Sequence, residues 1–121
     1  MNKRILVVDN DVMYLRMADY ILKQNNYEVV LASSGSEGIG KIKSEDIDLV
    51  LLDIEMPNMS GIETLQHIRM DSRFADLPVM FLTASGDKKD VMNAGSLGAV
   101  GYVKKPFEPQ ELLERVAKVF E

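Results

Sequence analysis

The sequence predicts an α/β fold, a single doubly wound sheet of five parallel strands formed by one domain over residues 1–121. Three observations predict it. Short unbroken aliphatic runs recur along the chain, helically periodic segments separate them, and four of the runs end in residues suited to phosphate or metal chemistry. Ile5-Leu6-Val7-Val8 stops at Asp9, Leu49-Val50-Leu51-Leu52 at Asp53, and Val79-Met80-Phe81-Leu82 at Thr83, while Val100 to Val103 leads into Lys104-Lys105-Pro106. Runs of this length, bounded by polar and turn residues, suit strands buried on both faces. Ligands of such sheets bind outside the carboxyl ends of the strands, so carboxylates, a hydroxyl and an ammonium are expected at one edge.

After the first strand, Ile5 to Val8, the segment from about Val12 to Gln24 has apolar residues at 14, 15, 17, 18, 21 and 22, one broad helical face. Asn25-Asn26 ends it. Tyr27 to Ala32 reads as a more polar strand, and Glu28 places it at an edge. Ser34-Gly35-Ser36 opens a short helix to about Lys43, weakened by Gly38 and Gly40. Ile47 to Asp53 is the third strand, and Met56-Pro57-Asn58-Met59-Ser60-Gly61 carries turn chemistry. Ile62, Leu65, Ile68 and Arg69 continue as a helix, and Leu77 to Thr83 is the fourth strand.

A helix is expected from Gly86 to about Ala94, crowded at its end by Gly95, Gly98 and Gly101. Val100 to Lys104 is the fifth strand. The last helix has the clearest start: Pro109 at its first position, Glu111 in its first turn, and Phe107 placed to staple against Leu112. Leu112, Leu113, Val116, Val119 and Phe120 form its apolar stripe. Alternating strands and helices with right-handed crossovers and no linker imply one sheet.

Composition narrows the function. A chain of 121 residues fits one domain with one core. It has no cysteine, so disulfides and thiolate chemistry make no contribution. A formal net charge of −5 argues against direct nucleic-acid or anionic-membrane binding by the whole surface. No apolar stretch reaches transmembrane length, and the four aliphatic residues before Asp9 are too few for a signal peptide. A cytoplasmic protein is expected.

Ile5-Leu6-Val7-Val8-Asp9, Leu51 through Gly61 with Asp53 and Met56-Pro57, Phe81-Leu82-Thr83-Ala84, and Gly101-Tyr102-Val103-Lys104-Lys105-Pro106-Phe107 together resemble the receiver domain of two-component response regulators. The resemblance covers essentially the whole chain, in order. It implies a flavodoxin-like sheet of strand order 2-1-3-4-5. It also implies that Asp53 accepts a phosphoryl group from a histidine kinase or histidine phosphotransfer protein in a two-component system or phosphorelay. A downstream protein target or an output domain would read the result, and the chain would catalyse only its own phosphorylation and dephosphorylation.

The residue types suit that chemistry. A carboxylate attacking a phosphoryl group meets anion repulsion, which Mg²⁺ relieves by bridging the two. Mg²⁺ takes oxygen ligands, commonly one or two carboxylates with water. Asp9 and Asp53 would supply the charge, and the resemblance adds Asn10 and the backbone carbonyl of Glu55 as ligands. The Thr83 hydroxyl and Lys105 ammonium would hold the phosphoryl oxygens. The resemblance also implies a cis bond between Lys105 and Pro106, and a switch in which Thr83 moves and Tyr102 follows. Tyr102 has a core-packing reading as well. Asp11 is expected to cap the first helix, Lys104 to be solvated, and His67 to lie on the surface.

Two departures stand out. The family has adjacent acidic residues after the first strand, and here the pair is Asp9-Asn10, so one ligand brings no charge. Ser60 replaces an acidic residue common in the family's loop. Glu55 and Ser85 occupy positions the family uses to tune hydrolysis. Two other readings compete. Asp9-Asn10-Asp11 is reminiscent of the Asp-x-Asp motif of haloacid-dehalogenase-like phosphohydrolases, with Asp9 as nucleophile, but that leaves Asp53 and its Met56-Pro57 loop unexplained. A degenerate receiver acting only as a binding module is motivated by Asn10 and opposed by Asp53, Thr83 and Lys105.

Overall fold

The computed structural model describes residues 2–84, 92 and 95–121. Five parallel strands form one sheet: β1 (Arg4–Val8), β2 (Glu28–Ala32), β3 (Leu49–Asp53), β4 (Val79–Thr83) and β5 (Gly101–Lys104). Their order is β2-β1-β3-β4-β5, as the resemblance implied, with β2 at the expected edge. Helices α1 (Val12–Lys23), α2 (Gly35–Ser44), α3 (Gly61–Met70) and α4 (Pro109–Val119) cover the faces. A 3₁₀ turn over Ser72–Phe74, which no periodicity signals, is capped by Asp71, whose side chain accepts from the Arg73 N–H. The helix expected from Gly86 to about Ala94 and the position of Ser85 fall outside the described residues, Met92 excepted.

Strand alternation sorts the core into two layers. Ile5, Val7, Leu49, Leu51, Met80, Leu82 and Val103 meet Leu15, Ala18 and Leu22 of α1 and Leu112 and Val116 of α4. Leu6, Val8, Val50, Leu52, Val79 and Phe81 meet Ile42 of α2 and Leu65 and Ile68 of α3. Successive side chains in a strand point to opposite faces. The unbroken aliphatic runs are therefore the direct consequence of a sheet buried on both sides.

Local chemistry fixes the connections between strands and helices. Asp11 caps α1, its side chain accepting from the Met13 N–H at 2.9 Å. Asn26 ends that region with φ 69°, a left-handed conformation that asparagine tolerates. Ser60 and Glu63 form a reciprocal capping box at α3, so the serine in this loop has a structural role of its own. Pro109 opens α4, and Phe107 and Leu112 share one core cluster, as the staple required.

Glycines at two positions predict opposite outcomes. A methyl group on Gly61 would lie 2.2 Å from the Asp53 carbonyl oxygen and 2.7 Å from Ile54 Cα, backbone atoms that cannot yield. Gly40 is exposed inside α2, and nothing lies within 4 Å of where its Cβ would be. Urea denaturation should find Gly40→Ala more stable by about 0.5–1 kcal/mol, through reduced unfolded-chain entropy. Gly61→Ala should be less stable by about 1–3 kcal/mol, because the overpacked loop must move the strand end carrying Asp53.

Candidate functional site

The same alternation that builds the core delivers the polar residues. Asp9 continues β1 in the ladder, its N–H donating to the Ala32 carbonyl at 3.1 Å. By two-residue alternation, Asp9, Asp53 and Lys105 fall on the face of Val7, Leu51 and Val103, the face that α1 and α4 cover. Thr83 falls on the other face with Phe81, and so does Tyr102, which pairs with Phe81 across β4 and β5.

Asp9 is fully buried, Asp53 is 4% exposed and Lys105 is 9% exposed. The Lys105 Nζ donates to Asp9 Oδ2 at 2.5 Å and lies 3.3 Å from Asp53 Oδ1. The Asp11 backbone N–H donates to Asp9 Oδ1 at 2.9 Å. The peptide bond between Lys105 and Pro106 is cis, and the Lys105 N–H donates to the Thr83 carbonyl at 2.7 Å. Asp9, Asp11, Asp53, Lys105 and Pro106 border a cleft of about 330 Å³, lined also by Asn10, Glu55 and Tyr14. A larger groove of about 770 Å³ lies at the opposite, amino ends of the strands beside Arg4, Asp48 and Leu77. It holds no comparable pair of buried carboxylates.

Two carboxylates facing one ammonium leave a formal charge of −1 in a nearly buried cluster. Asp53 registers this: burial and then the charge of Asp9 push its carboxyl up to about 6. Lys105 and the Glu55 backbone N–H, which donates to the Asp53 carboxylate, oppose that rise only in part. Among the described residues no three His, Cys, Asp or Glu side chains gather as a metal-binding group. The donor set nonetheless fits Mg²⁺, which needs only one or two carboxylates alongside neutral oxygens and water.

The candidate residues divide between the cleft and positions outside it. The structure brings Asp9, Asp53 and Lys105 together, with Asn10 and the Glu55 backbone at the rim of their cleft. Thr83 is fully buried at the end of β4, next to Ala84 of the cleft wall. Tyr102 stands apart, 39% exposed, beside a cavity of about 160 Å³ lined by Ile54, Phe81 and Ala99. Asp11 caps α1 through its side chain, as expected, and donates its backbone N–H to Asp9. Lys104 and His67 are exposed, as expected. Sequence reasoning missed Tyr14, whose ring lies 4.3 Å from the Lys105 ammonium. Its helical periodicity marked it only as a core residue.

Residues 5–117 match the response regulator receiver domain family. The chain is 35% identical over 119 residues to the phosphate regulon transcriptional regulatory protein PhoB of Escherichia coli, covering 98% of this chain and 52% of that protein. It thus spans about half the length of the curated relatives it matches. Among solved structures, it is similar to the chemotaxis response regulator CheY4 of Vibrio cholerae, with a TM-score of 0.93 and 29% identity over 98% of this chain and 99% of that one. The CheX–CheY–BeF₃–Mg²⁺ complex of Borrelia burgdorferi gives a TM-score of 0.92 at 30% identity, over 98% and 90%.

The raised Asp53 carboxyl predicts how stability depends on pH. The folded protein holds this proton up to about pH 6, whereas the unfolded chain releases it near the ordinary value of 3.8. The contribution of Asp53 to stability is therefore greatest below that window, falls as pH rises through it, and levels off above about 6. In chelating buffer, Asp53→Asn should be more stable than wild type at pH 8 by about 2–3 kcal/mol. Denaturant titrations should show the difference shrinking toward zero near pH 4. A difference that does not change with pH would contradict the assignment.

Proposed function

The chain belongs to the receiver domain family of response regulators, and we propose that its Asp53 is the phosphoryl acceptor of a two-component system or phosphorelay. One observation supports this most strongly: a nearly buried carboxylate at the carboxyl edge of the sheet, 3.3 Å from a lysine ammonium and beside a second carboxylate. Receiver domains act in signalling rather than in metabolic turnover, and this one's chemistry is confined to itself.

In the proposed reaction an Asp53 carboxylate oxygen attacks the phosphorus of a phosphohistidine. An O–P bond forms, the N–P bond breaks, and the imidazole leaves. Lys105 sits where it can offset negative charge on the phosphoryl oxygens, and its present contact with both carboxylates keeps it at the reacting edge. Thr83, one residue from the cleft wall, supplies a hydroxyl to the same oxygens once its side chain moves. The carboxylates of Asp9 and Asp53, the amide oxygen of Asn10 and the carbonyl of Glu55 would hold Mg²⁺. Held there, it would supply positive charge that offsets the repulsion between the attacking carboxylate and the phosphoryl group. With Asn10 in place of a carboxylate, the site depends more heavily on Asp9 and Asp53 for charge.

The family assignment displaces the phosphohydrolase reading built on Asp9. Asp9 is fully buried, and its two oxygens already accept from Lys105 and from the Asp11 N–H. Residues 1–121 act as one cytoplasmic receiver unit. Its donor is a histidine kinase or histidine phosphotransfer protein, and its reader is a protein target or an output domain. Among the described residues no helix is long and apolar enough to cross a membrane. The net charge of −5 favours protein partners over direct contact with nucleic acid or membrane.

With a small phosphodonor and Mg²⁺, intact mass should show a single phosphoryl adduct, mapped to Asp53 and absent from Asp53→Ala. An adduct on Asp9 would overturn the assignment. No adduct at all would leave a degenerate receiver that acts by binding alone.

The output side of the proposal rests on the cavity beside Tyr102. Phosphorylation adds up to two negative charges and further acceptor oxygens. Thr83 moving toward them frees space on the face it shares with Phe81, and the ring of Tyr102 can then turn into the cavity. Two arrangements weighted differently by the phosphoryl group make a switch. NMR with beryllofluoride and Mg²⁺ should therefore shift Tyr102 and residues 95–105 in wild type. In Thr83→Ala the loop around Asp53 should still respond while Tyr102 does not. Shifts confined to that loop in wild type would contradict the switch.

A further inference from the structure

The ammonium of Lys105 has a third neighbour that the proposed chemistry does not use. Its Nζ lies 4.3 Å from the centroid of the Tyr14 ring, in the first turn of α1. Tyr14 is half-buried and in turn rests on Phe107, with ring centroids 5.7 Å apart and planes inclined at 48°. The ring therefore has support on the side of β5 and α4. Only 7% of the Lys105 side chain is exposed, so little water competes for the ammonium. A cation over an aromatic face is held by the ring quadrupole, and more strongly when desolvated.

We infer that Tyr14 is a positioning residue for phosphoryl transfer, holding Lys105 at the cleft through its ring face. The inference rests on the function proposed above. Without metal, Asp9 and Asp53 hold the ammonium by charge. A cation bound by those two carboxylates takes up the charge that holds Lys105. The ring is the partner for which that cation does not compete, because Tyr14 brings no carboxylate. It keeps the ammonium at the cleft wall, ready for a phosphoryl oxygen, and spares Lys105 the entropy of being ordered only as the phosphoryl group arrives. The supporting Phe107 lies two residues beyond Lys105 in sequence, so one short segment carries both the ammonium and the ring that braces its partner.

The test uses the full chain with acetyl phosphate and Mg²⁺, following the initial rate of adduct formation by intact mass. Tyr14→Leu keeps apolar bulk and helix propensity but removes the quadrupole, and should react about threefold to tenfold more slowly. Tyr14→Phe keeps the ring face and should restore a rate close to wild type. In the Lys105→Ala background, Tyr14→Leu should produce no further slowing. A wild-type rate in Tyr14→Leu, or a further slowing of Lys105→Ala, overturns the inference. Tyr14→Met replaces Tyr14→Leu should the latter not fold. A second readout needs neither metal nor reaction: in the metal-free protein the Lys105 Hε protons should be shifted upfield by the ring, and lose that shift in Tyr14→Leu. Unshifted Hε protons in wild type also overturn it. If instead Asp53→Ala still gains the adduct and Lys105→Ala reacts at the wild-type rate, the underlying acceptor reading fails. The Hε shift would still report the ring contact, so the two failures are distinguishable.

Discussion

The site is governed by a charge imbalance that the fold cannot remove. Two carboxylates and one ammonium are held almost out of water where β1, β3 and β5 end. Ion pairs in such surroundings cost desolvation that their mutual attraction only partly offsets. Here the pairing is also one positive charge short, and Asp53 bears the consequence as a carboxyl that holds its proton to about pH 6. A group in this condition favours whatever supplies positive charge to the cleft. The proposed receiver chemistry would use that tendency, because a divalent cation and a phosphoryl group together would meet the demand for charge and for oxygen contacts.

The rest of the structure keeps that imbalance in place. A sheet buried on both faces leaves its strands no freedom of register, since a slip by one residue would turn every core side chain to the wrong layer. Asp9, Asp53 and Lys105 share one face because Val7, Leu51 and Val103 do. Thr83 and Tyr102 share the other with Phe81. In the proposed function, acceptor chemistry and output would thus occupy opposite faces of the sheet at its carboxyl edge. Thr83 ends the strand between them, its carbonyl bonded to the Lys105 N–H. The close approach of Gly61 to the Asp53 carbonyl and the capping box at Ser60 hold the β3–α3 connection against the strand end.

Much of this was legible in the chain. The aliphatic runs locate the strands, and their terminal residues name Asp9, Asp53, Thr83 and the Lys105 segment, because both signals are local. Strand limits were less sharp: β3 begins at Leu49 rather than Ile47 and β4 at Val79 rather than Leu77, since apolar residues flanking a strand also pack against the core. Sheet order came from the resemblance rather than from periodicity, which is blind to which strands pair. What sequence could not show is contact across long separations. Lys105 reaches Asp9 over 96 residues and Tyr14 over a similar span, and a half-buried tyrosine on a helix face reads as core whatever its ring touches. The 3₁₀ turn at Ser72–Phe74 is too short to leave a periodic signal.

Mg²⁺ affinity measured by calorimetry across pH 5 to 8 tests the central claim most directly. If the cleft holds an undercompensated carboxylate pair, proton and metal compete at Asp53. Affinity should then be weak at pH 5, rise through about pH 6 with release of a proton, and level off by pH 8. An affinity that stays constant across this range, with no proton released, would contradict the account.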